Sequence, residues 1–309
     1  MPETKPNNTN PKILASIVTY NAMNWIDHCI RSLFESTIHI NIFIVDNCSS
    51  DDTINYVKSH FPDIVLYESA SNIGFGQANN IVFKYALTHN YDYVLLLNQD
   101  AWISRDMLSI MLTYSNGNSL LSPIHLNGNG NALDKNFLNN TIIKSGLKNL
   151  LIVDPILKNK GVYKVQEVNA ACWLLPTNII RIIGGFNPLF YHYGEDNNYL
   201  SRLHYHKIPI YVIAGTYAYH DRENRPELPT DYSKIYRNIL LLHTDINSST
   251  LTIHLKQFRF FLAILHTALK EKNTDIIKYY FSAKKEINTN RTNIKNSRTT
   301  ERLSAKNWL

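Results

Sequence analysis

Four aliphatic runs constrain this chain more than anything else in it. KILASIVTY (12–20), INIFIVD (40–46), DIVLYE (63–68) and YDYVLLL (91–97) each end at polar residues, and each of the first three is followed by a stretch with helical spacing. Between the first two runs, Trp25, Ile26, Cys29, Ile30, Leu33 and Phe34 recur three and four residues apart, as on one face of a helix. Ser49, Ser50, Asp51 and Asp52 are helix-start residues before TINYVKSHF. A second long helix is expected over 74–90 and another over roughly 104–114. Strands alternating with helices predict βαβ units and a parallel sheet. Unbroken Ile/Val/Leu runs fit strands buried on both faces.

In such sheets a ligand sits in the crevice outside the strand C-terminal ends. Here those ends read Thr19-Tyr20-Asn21, Asp46-Asn47, Glu68 to Asn72, and Asn98-Gln99-Asp100. The polar residues therefore converge on one rim.

Composition removes several alternatives. At 309 residues, 44% hydrophobic and 18% charged, the chain can bury a full core. Three cysteines, Cys29, Cys48 and Cys172, make no disulfide framework and point to a reducing, cytoplasmic compartment. The polar start MPETKPNNTNPK does not read as a signal peptide. No apolar run reaches the ~18–20 residues of a membrane span. Of the net charge of +6, residues 284–309 supply +5, from seven basic and two acidic side chains. That end describes a location or partner and not a chemistry.

Further along, residues 127–140 are Gly/Asn-rich and are expected as a surface loop. VYKVQEVNAACWLLP (162–176) reads as a strand feeding a short helix that ends near Gly184-Gly185. A helix starts near Glu195, a strand follows, and 231–282 is helical. The expected organisation is a disordered N-terminus (1–11), an α/β domain (12–228), a C-terminal helical extension (229–287) and a basic, disordered tail (288–309).

Each candidate site residue has a bland reading beside the functional one. Asp46 reads equally as a strand-end carboxylate holding the turn to Ser49-Ser50 or as an acceptor for a base or ribose hydroxyl. Gly74 and Gly76 in NIGFGQANN suit either a helix entry or close approach to a ligand, but Asn79 breaks the dinucleotide spacing. Asp100, at the tip of a central strand, suits a hard divalent cation; its alternative is a helix start. In YHYGEDNNYLSR, Glu195-Asp196 fits a general base facing the crevice or a favourable helix first turn. His220 reads as a packed histidine or as a further ligand to Mn²⁺ or Mg²⁺. Arg222 and Arg225 could clamp phosphates or sit on a solvated loop.

In order and spacing, SIVTYN, IVDNCSSD, SNIGFGQANN, LLLNQDAWI, ACWLLP…IGGFNPLFYHYGEDNNYLSR and AYH resemble the inverting glycosyltransferases of family 2, with the GT-A fold. The matching pieces span about residues 12–221 and look closest to bacterial transferases of rhamnose or galactofuranose in surface-polysaccharide assembly. The resemblance implies a Rossmann-like, mainly parallel sheet flanked by helices. It implies a nucleotide diphosphate-sugar donor held by Thr19, Tyr20, Asn21, Asp46, Asn72, Gly76, Asn79, Asn98 and Gln99, and a divalent Mg²⁺ or Mn²⁺ on Asp100 and His220. Asp196 would be the base, with Glu195, Arg202, Arg222 and Trp173 also at the substrate. Phe186, Phe190, Tyr191, His192 and Tyr193 would border the acceptor side, with core packing the alternative. Asn98 stands where the family carries the first Asp of Asp-x-Asp, which removes one charge.

The implied acceptor is a glycan or a lipid-linked hydroxyl. The basic tail would then meet an anionic membrane surface on its cytoplasmic side; a helical cap or homodimer face is the alternative. A sugar nucleotidyltransferase would need a Gly-rich basic N-terminal signature that SIVTYNAMNWID lacks. A catalytically inactive relative has Asn98 as its one hint. Nucleic acid is not expected, because the tail carries no interleaved aromatics apart from Trp308.

Overall fold

In the computed structural model, residues 11–222 and 232–309 are described. The four aliphatic runs form β1 (Ile13–Thr19), β2 (Asn41–Asp46), β3 (Val65–Glu68) and β4 (Tyr93–Asn98). They lie in the order β3-β2-β1-β4 and all pair in parallel. The sheet continues with β5 (Ala101–Ile103), β6 (Leu120–Asn127), β7 (Gly161–Lys164), β8 (Cys172–Pro176) and β9 (Ile210–His220). Beyond β4 it turns mixed, because β8 runs antiparallel to β4 and β6, while β9 runs parallel to β6.

The aliphatic strands are unbroken because both faces of the sheet are covered. Ile13, Ala15 and Ile17 of β1 enter one core with α1 (Ile26–Phe34), α2 (Thr53–His60) and α4 (Met107–Thr113). Leu14 enters the other with α3 (Phe75–Thr88), α6 (Thr177–Ile183) and α7 (Glu195–Tyr205). A short α5 (Leu150–Val153) lies between β6 and β7.

The C-terminal region has its own core, built by α8 (Tyr232–Thr244), α9 (Thr250–Lys270), α10 (Asp275–Thr289) and α11 (Arg291–Leu303). The expected disorder of 288–309 is corrected here. Residues Ile294, Ser297 and Glu301 form a buried face of α11 at helical spacing. Glu301 accepts hydrogen bonds from Asn187 (2.7 Å) and Asn198 (2.8 Å), and Arg298 donates to the carbonyls of His243, Asp245 and Ser248. The segment has few apolar residues because polar pairs do much of its packing, which composition does not reveal. Residues 1–10 lie outside the described residues, and no helix among those described is long and apolar enough to cross a membrane.

Candidate active site

The rim assembles in two parts. At the tips of β1 and β2, Asp46 is fully buried. Its Oδ1 accepts from the Thr19 hydroxyl (2.8 Å) and the Ser49 hydroxyl (2.6 Å), and its Oδ2 from the Ser49 N–H (2.8 Å). Asn21, with a left-handed φ of 51°, receives Ser50 N–H (2.8 Å) and Asp51 N–H (3.3 Å) on its Oδ1. Gln99 crosses to this knot, accepting from Tyr20 N–H (2.7 Å) and donating back to the Tyr20 carbonyl (3.2 Å). The Tyr20 side chain stays exposed. The knot is largely satisfied by its own chain, so Asp46 follows the turn-holding reading.

The second part gathers where β5, β6 and β9 meet. The β5–β9 register sets Ala101 opposite His220, and the Asp221 N–H donates to the Asp100 carbonyl (2.9 Å). Asp100 Oδ1 and His220 Nε2 stand 3.4 Å apart, both buried. The Asn98 amide nitrogen is also 3.4 Å from His220 Nε2. On its other side, His220 Nδ1 lies 3.5 Å from Asp134 Oδ2, and that same oxygen lies 3.1 Å from Arg222 Nε.

Asp134 is the residue that sequence reasoning missed. It belongs to the stretch expected as a surface loop, yet it is buried. Asn127 Oδ1 accepts from the N–H groups of Asn131 and Ala132, folding the chain back along β6, and the Asp134 N–H then bonds the His125 carbonyl. Asp134 Oδ1 accepts the Phe137 N–H (2.8 Å) at the start of the next helical turn. Burial raises the Asp134 pKa, but His220, Arg222 and the Phe137 N–H outweigh it and hold the carboxyl down at about 2. The one signal in the sequence was a helix-capping Asp three residues before a Phe.

The third group enters on the first turn of α7. Gly194, at φ 94°, turns the chain so that Glu195 and Asp196 open the helix. Gly76 belongs to this contact: a Cβ there would stand 3.0 Å from Phe186 Cβ and 3.4 Å from Glu195 Cβ. Burial raises the pKa of Glu195, and the charge of Asp196 raises it further. Burial raises Asp196 as well, opposed by N–H groups and by the charges of Arg222 and Arg237. Glu195 Oε2 is buried without a hydrogen-bond partner, which favours the protonated form of Glu195. Arg222 thus bears on both Asp134 and Asp196, linking the two acidic groups.

Several expected residues sit elsewhere. Trp173 is fully buried in β8, against Tyr199, and Phe186 and Phe190 are core residues; only Tyr191, His192 and Tyr193 of the aromatic set are exposed. Trp173 is buried because β8 lies between β4 and β6 in the middle of the sheet. Arg202 is fully buried and donates to the Ile183 (3.2 Å) and Gly185 (2.6 Å) carbonyls, which fastens the Gly184-Gly185 turn. Asn79 is consumed between the Ser16 hydroxyl (2.6 Å) and the Phe75 carbonyl (2.9 Å), tying α3 to β1. Asn72 shapes its own loop, accepting from Gly74 N–H (3.0 Å) and, on its carbonyl, from the Tyr191 hydroxyl (3.0 Å). Arg225 lies outside the described residues.

Asp100 and His220 fit a divalent cation as neighbouring ligands. Two ligand atoms ~2.1 Å from one octahedral ion and at right angles stand about 3 Å apart. Among the described residues no group of three or more His, Cys, Asp or Glu side chains could hold an ion alone.

A doubly covered sheet, parallel through its first four strands and carrying an acidic cluster at its tips, defines a GT-A-type α/β fold. Structures sharing it include the mannosyltransferase PcManGT from Pyrobaculum calidifontis in complex with GDP-Man and Mn²⁺, with TM-score 0.54 and 15% identity over 91% of this chain and 76% of that one. S. aureus TarS in complex with UDP gives TM-score 0.52 and 17% identity, covering 80% of this chain and 68% of that one. Residues 15–138 match the family described as Glycosyl transferase family 2, and this part of the chain is a glycosyltransferase family 2 domain. The dTDP-rhamnosyl transferase RfbG of Shigella flexneri is 28% identical over 131 residues, which are 38% of this chain and 45% of that protein. The chain spans less than half the length of the curated relatives it matches.

Proposed function

We propose that the protein is an inverting glycosyltransferase that moves a sugar from a nucleotide diphosphate-sugar to a hydroxyl of a glycan or lipid-linked acceptor. The observation that carries this reading is the run of contacts Asp100–His220–Asp134–Arg222, with Asp196 within the field of the same guanidinium. Asp100 and His220 would hold a Mg²⁺ or Mn²⁺ ion, whose chemistry is to offset charge on the departing diphosphate. The cation-bearing neighbours of this fold support that choice, as do their nucleotide and nucleotide-sugar ligands for the donor.

Asp196 acts as the base. A sugar hydroxyl holds its proton too tightly to attack at neutral pH, and a carboxylate at hydrogen-bond distance takes it as the new bond forms. The acceptor oxygen bonds the anomeric carbon from the face opposite the diphosphate, the carbon–phosphate-oxygen bond breaks, and configuration inverts in one displacement. Glu195 stays protonated, so it adds no second charge beside Asp196. Asp134 acts through His220: a carboxylate on Nδ1 fixes the imidazole's orientation and leaves Nε2 toward Asp100, as outer carboxylates do for ligating histidines. The charge of Arg222 favours the ionised forms of both Asp134 and Asp196. Tyr191 and Tyr193 offer exposed aromatic faces to an acceptor sugar.

The test is a thermal-shift screen of nucleotide sugars with and without Mn²⁺, since a ligand of the native state raises the melting point. The expected result is a shift with one nucleotide class that grows with Mn²⁺; no shift with any of them overturns the reading.

A further inference from the structure

α9 carries an apolar stripe that the protein's own core does not use. Leu251, Leu255, Phe258, Leu262, Leu265 and Leu269 follow one another at alternating four- and three-residue steps. That spacing keeps them on one narrow face of the helix. Leu251, Leu255, Phe258, Leu262 and Leu269 are between 48% and 78% exposed, while Ile253, Gln257, Ile264 and Ala268 make the buried face. Contiguous exposed apolar rows of this kind mark an interaction surface.

The charges around the stripe select the partner. Thr250–Lys270 contains no acidic residue, and Arg259 and Lys270 share one flank of it, while Lys256 on the same flank is held by Asp245 (3.4 Å) and the Ser248 hydroxyl (2.9 Å). On the other side, α10 brings exposed Phe281, and Lys284 lines with His254, Phe258, Phe261 and Phe281 a cleft of about 210 Å³ between the two helices. A helix seam between two copies of the chain would set these basic flanks against one another with no acid on α9 to answer them. An apolar row edged by Lys and Arg instead matches a helix lying in the headgroup region of an anionic bilayer, apolar face down.

We infer that α9, with the α10 edge beside it, is a docking surface for an anionic lipid bilayer. This moves the membrane contact from the basic C-terminal tail, where Arg298 is engaged by carbonyls of the protein itself, to a different helix. The inference stands independently of the transfer chemistry.

The test is flotation of the full chain with phosphatidylglycerol vesicles and with phosphatidylcholine vesicles. The chain should float with the first and not with the second. A Leu255→Glu/Phe258→Glu/Leu262→Glu variant changes only outward positions and should lose at least ten-fold in bound fraction while keeping its melting temperature. An Arg291→Gln/Lys295→Gln/Arg302→Gln variant should still float. Should the triple Glu variant unfold, Arg259→Gln/Lys270→Gln, which leaves the apolar stripe and the Lys256–Asp245 pair intact, serves in its place and should lose flotation at least several-fold. No flotation of the wild type, or flotation undiminished in the stripe and flank variants, overturns the proposal. So does a sedimentation-velocity dimer that the stripe variant dissociates, because it assigns the face to a second copy.

Discussion

The two acidic strand tips, Asp46 on β2 and Asp100 after β4, look alike in sequence and differ in what surrounds them. Asp46 takes its donors from a short stretch of its own turn and from the neighbouring strand: Thr19, Ser49 hydroxyl and Ser49 N–H. Asp100 faces a histidine 120 residues away, which is itself backed by an aspartate from a third segment. A buried carboxylate given N–H and O–H donors by its own turn is holding that turn. One whose partners arrive from two distant segments is a candidate for a site, because nothing local requires them to meet. The contrast suggests ways to break it.

The largest effect is expected at Asp196. Asp196→Ala should lower turnover by at least ~10²-fold, the usual scale of general-base catalysis, with donor binding nearly unchanged. Near wild-type transfer would remove Asp196 from the role. Smaller, and more telling for the comparison, is Asp134→Asn. It keeps the shape and an oxygen for the Phe137 N–H, but drops the charge behind His220 and replaces the acceptor facing His220 and Arg222 with an amide donor. Manganese affinity, read by electron paramagnetic resonance of free Mn²⁺, should fall by ~10–100-fold, the range found for outer carboxylates of ligating histidines. Unchanged affinity would make Asp134 a helix cap and nothing more.

Asp46→Ala tests the other tip. It strands a buried hydroxyl pair and an N–H, so the expected loss is ~1–3 kcal/mol of stability, read as a lower denaturation midpoint. If the midpoint holds while nucleotide binding disappears, Asp46 is a ligand after all and the contrast fails.

The sequence carried most of the fold and the proposal for the site. The four parallel strands were legible because aliphatic runs longer than a turn, each closed by polar residues, have few other uses. Asp100, His220 and Asp196 were proposed from motif order, and the structure brings Asp100 and His220 to 3.4 Å. Asp134 was not, because Gly and Asn around it signal a loop, and loop signals say nothing about whether a loop folds back onto the sheet. Arg202 and Trp173 misled for the opposite reason: a charged or aromatic residue beside a site motif reads as contact, although here both are buried, Arg202 serving a turn and Trp173 the sheet. Ordering of 288–309 was hidden because Asn187, Asn198 and Glu301 do by hydrogen bonding what apolar residues usually do.

The smallest effect distinguishes the two acids that open α7. Glu195 is pushed above the ordinary carboxylate range by burial and by Asp196. A folded-state pKa raised above the unfolded one means that the native protein holds a proton the unfolded chain releases. Its contribution to stability is therefore whole below the ordinary carboxylate pKa and is lost as pH climbs through the raised one. Glu195→Gln fixes the protonated shape at every pH. Wild type and variant should melt together near about pH 5, and the variant should melt higher by at least about 3 °C near about pH 8.5. Asp196→Asn tests the same logic on its neighbour, where burial raises the pKa but backbone N–H groups and the charges of Arg222 and Arg237 oppose the rise. Its melting difference should change less across the same range. If the two variants show the same pH dependence, the charge is shared between the acids. Asp196 then no longer stands apart as the ionised member, and the base would have to be assigned to the pair.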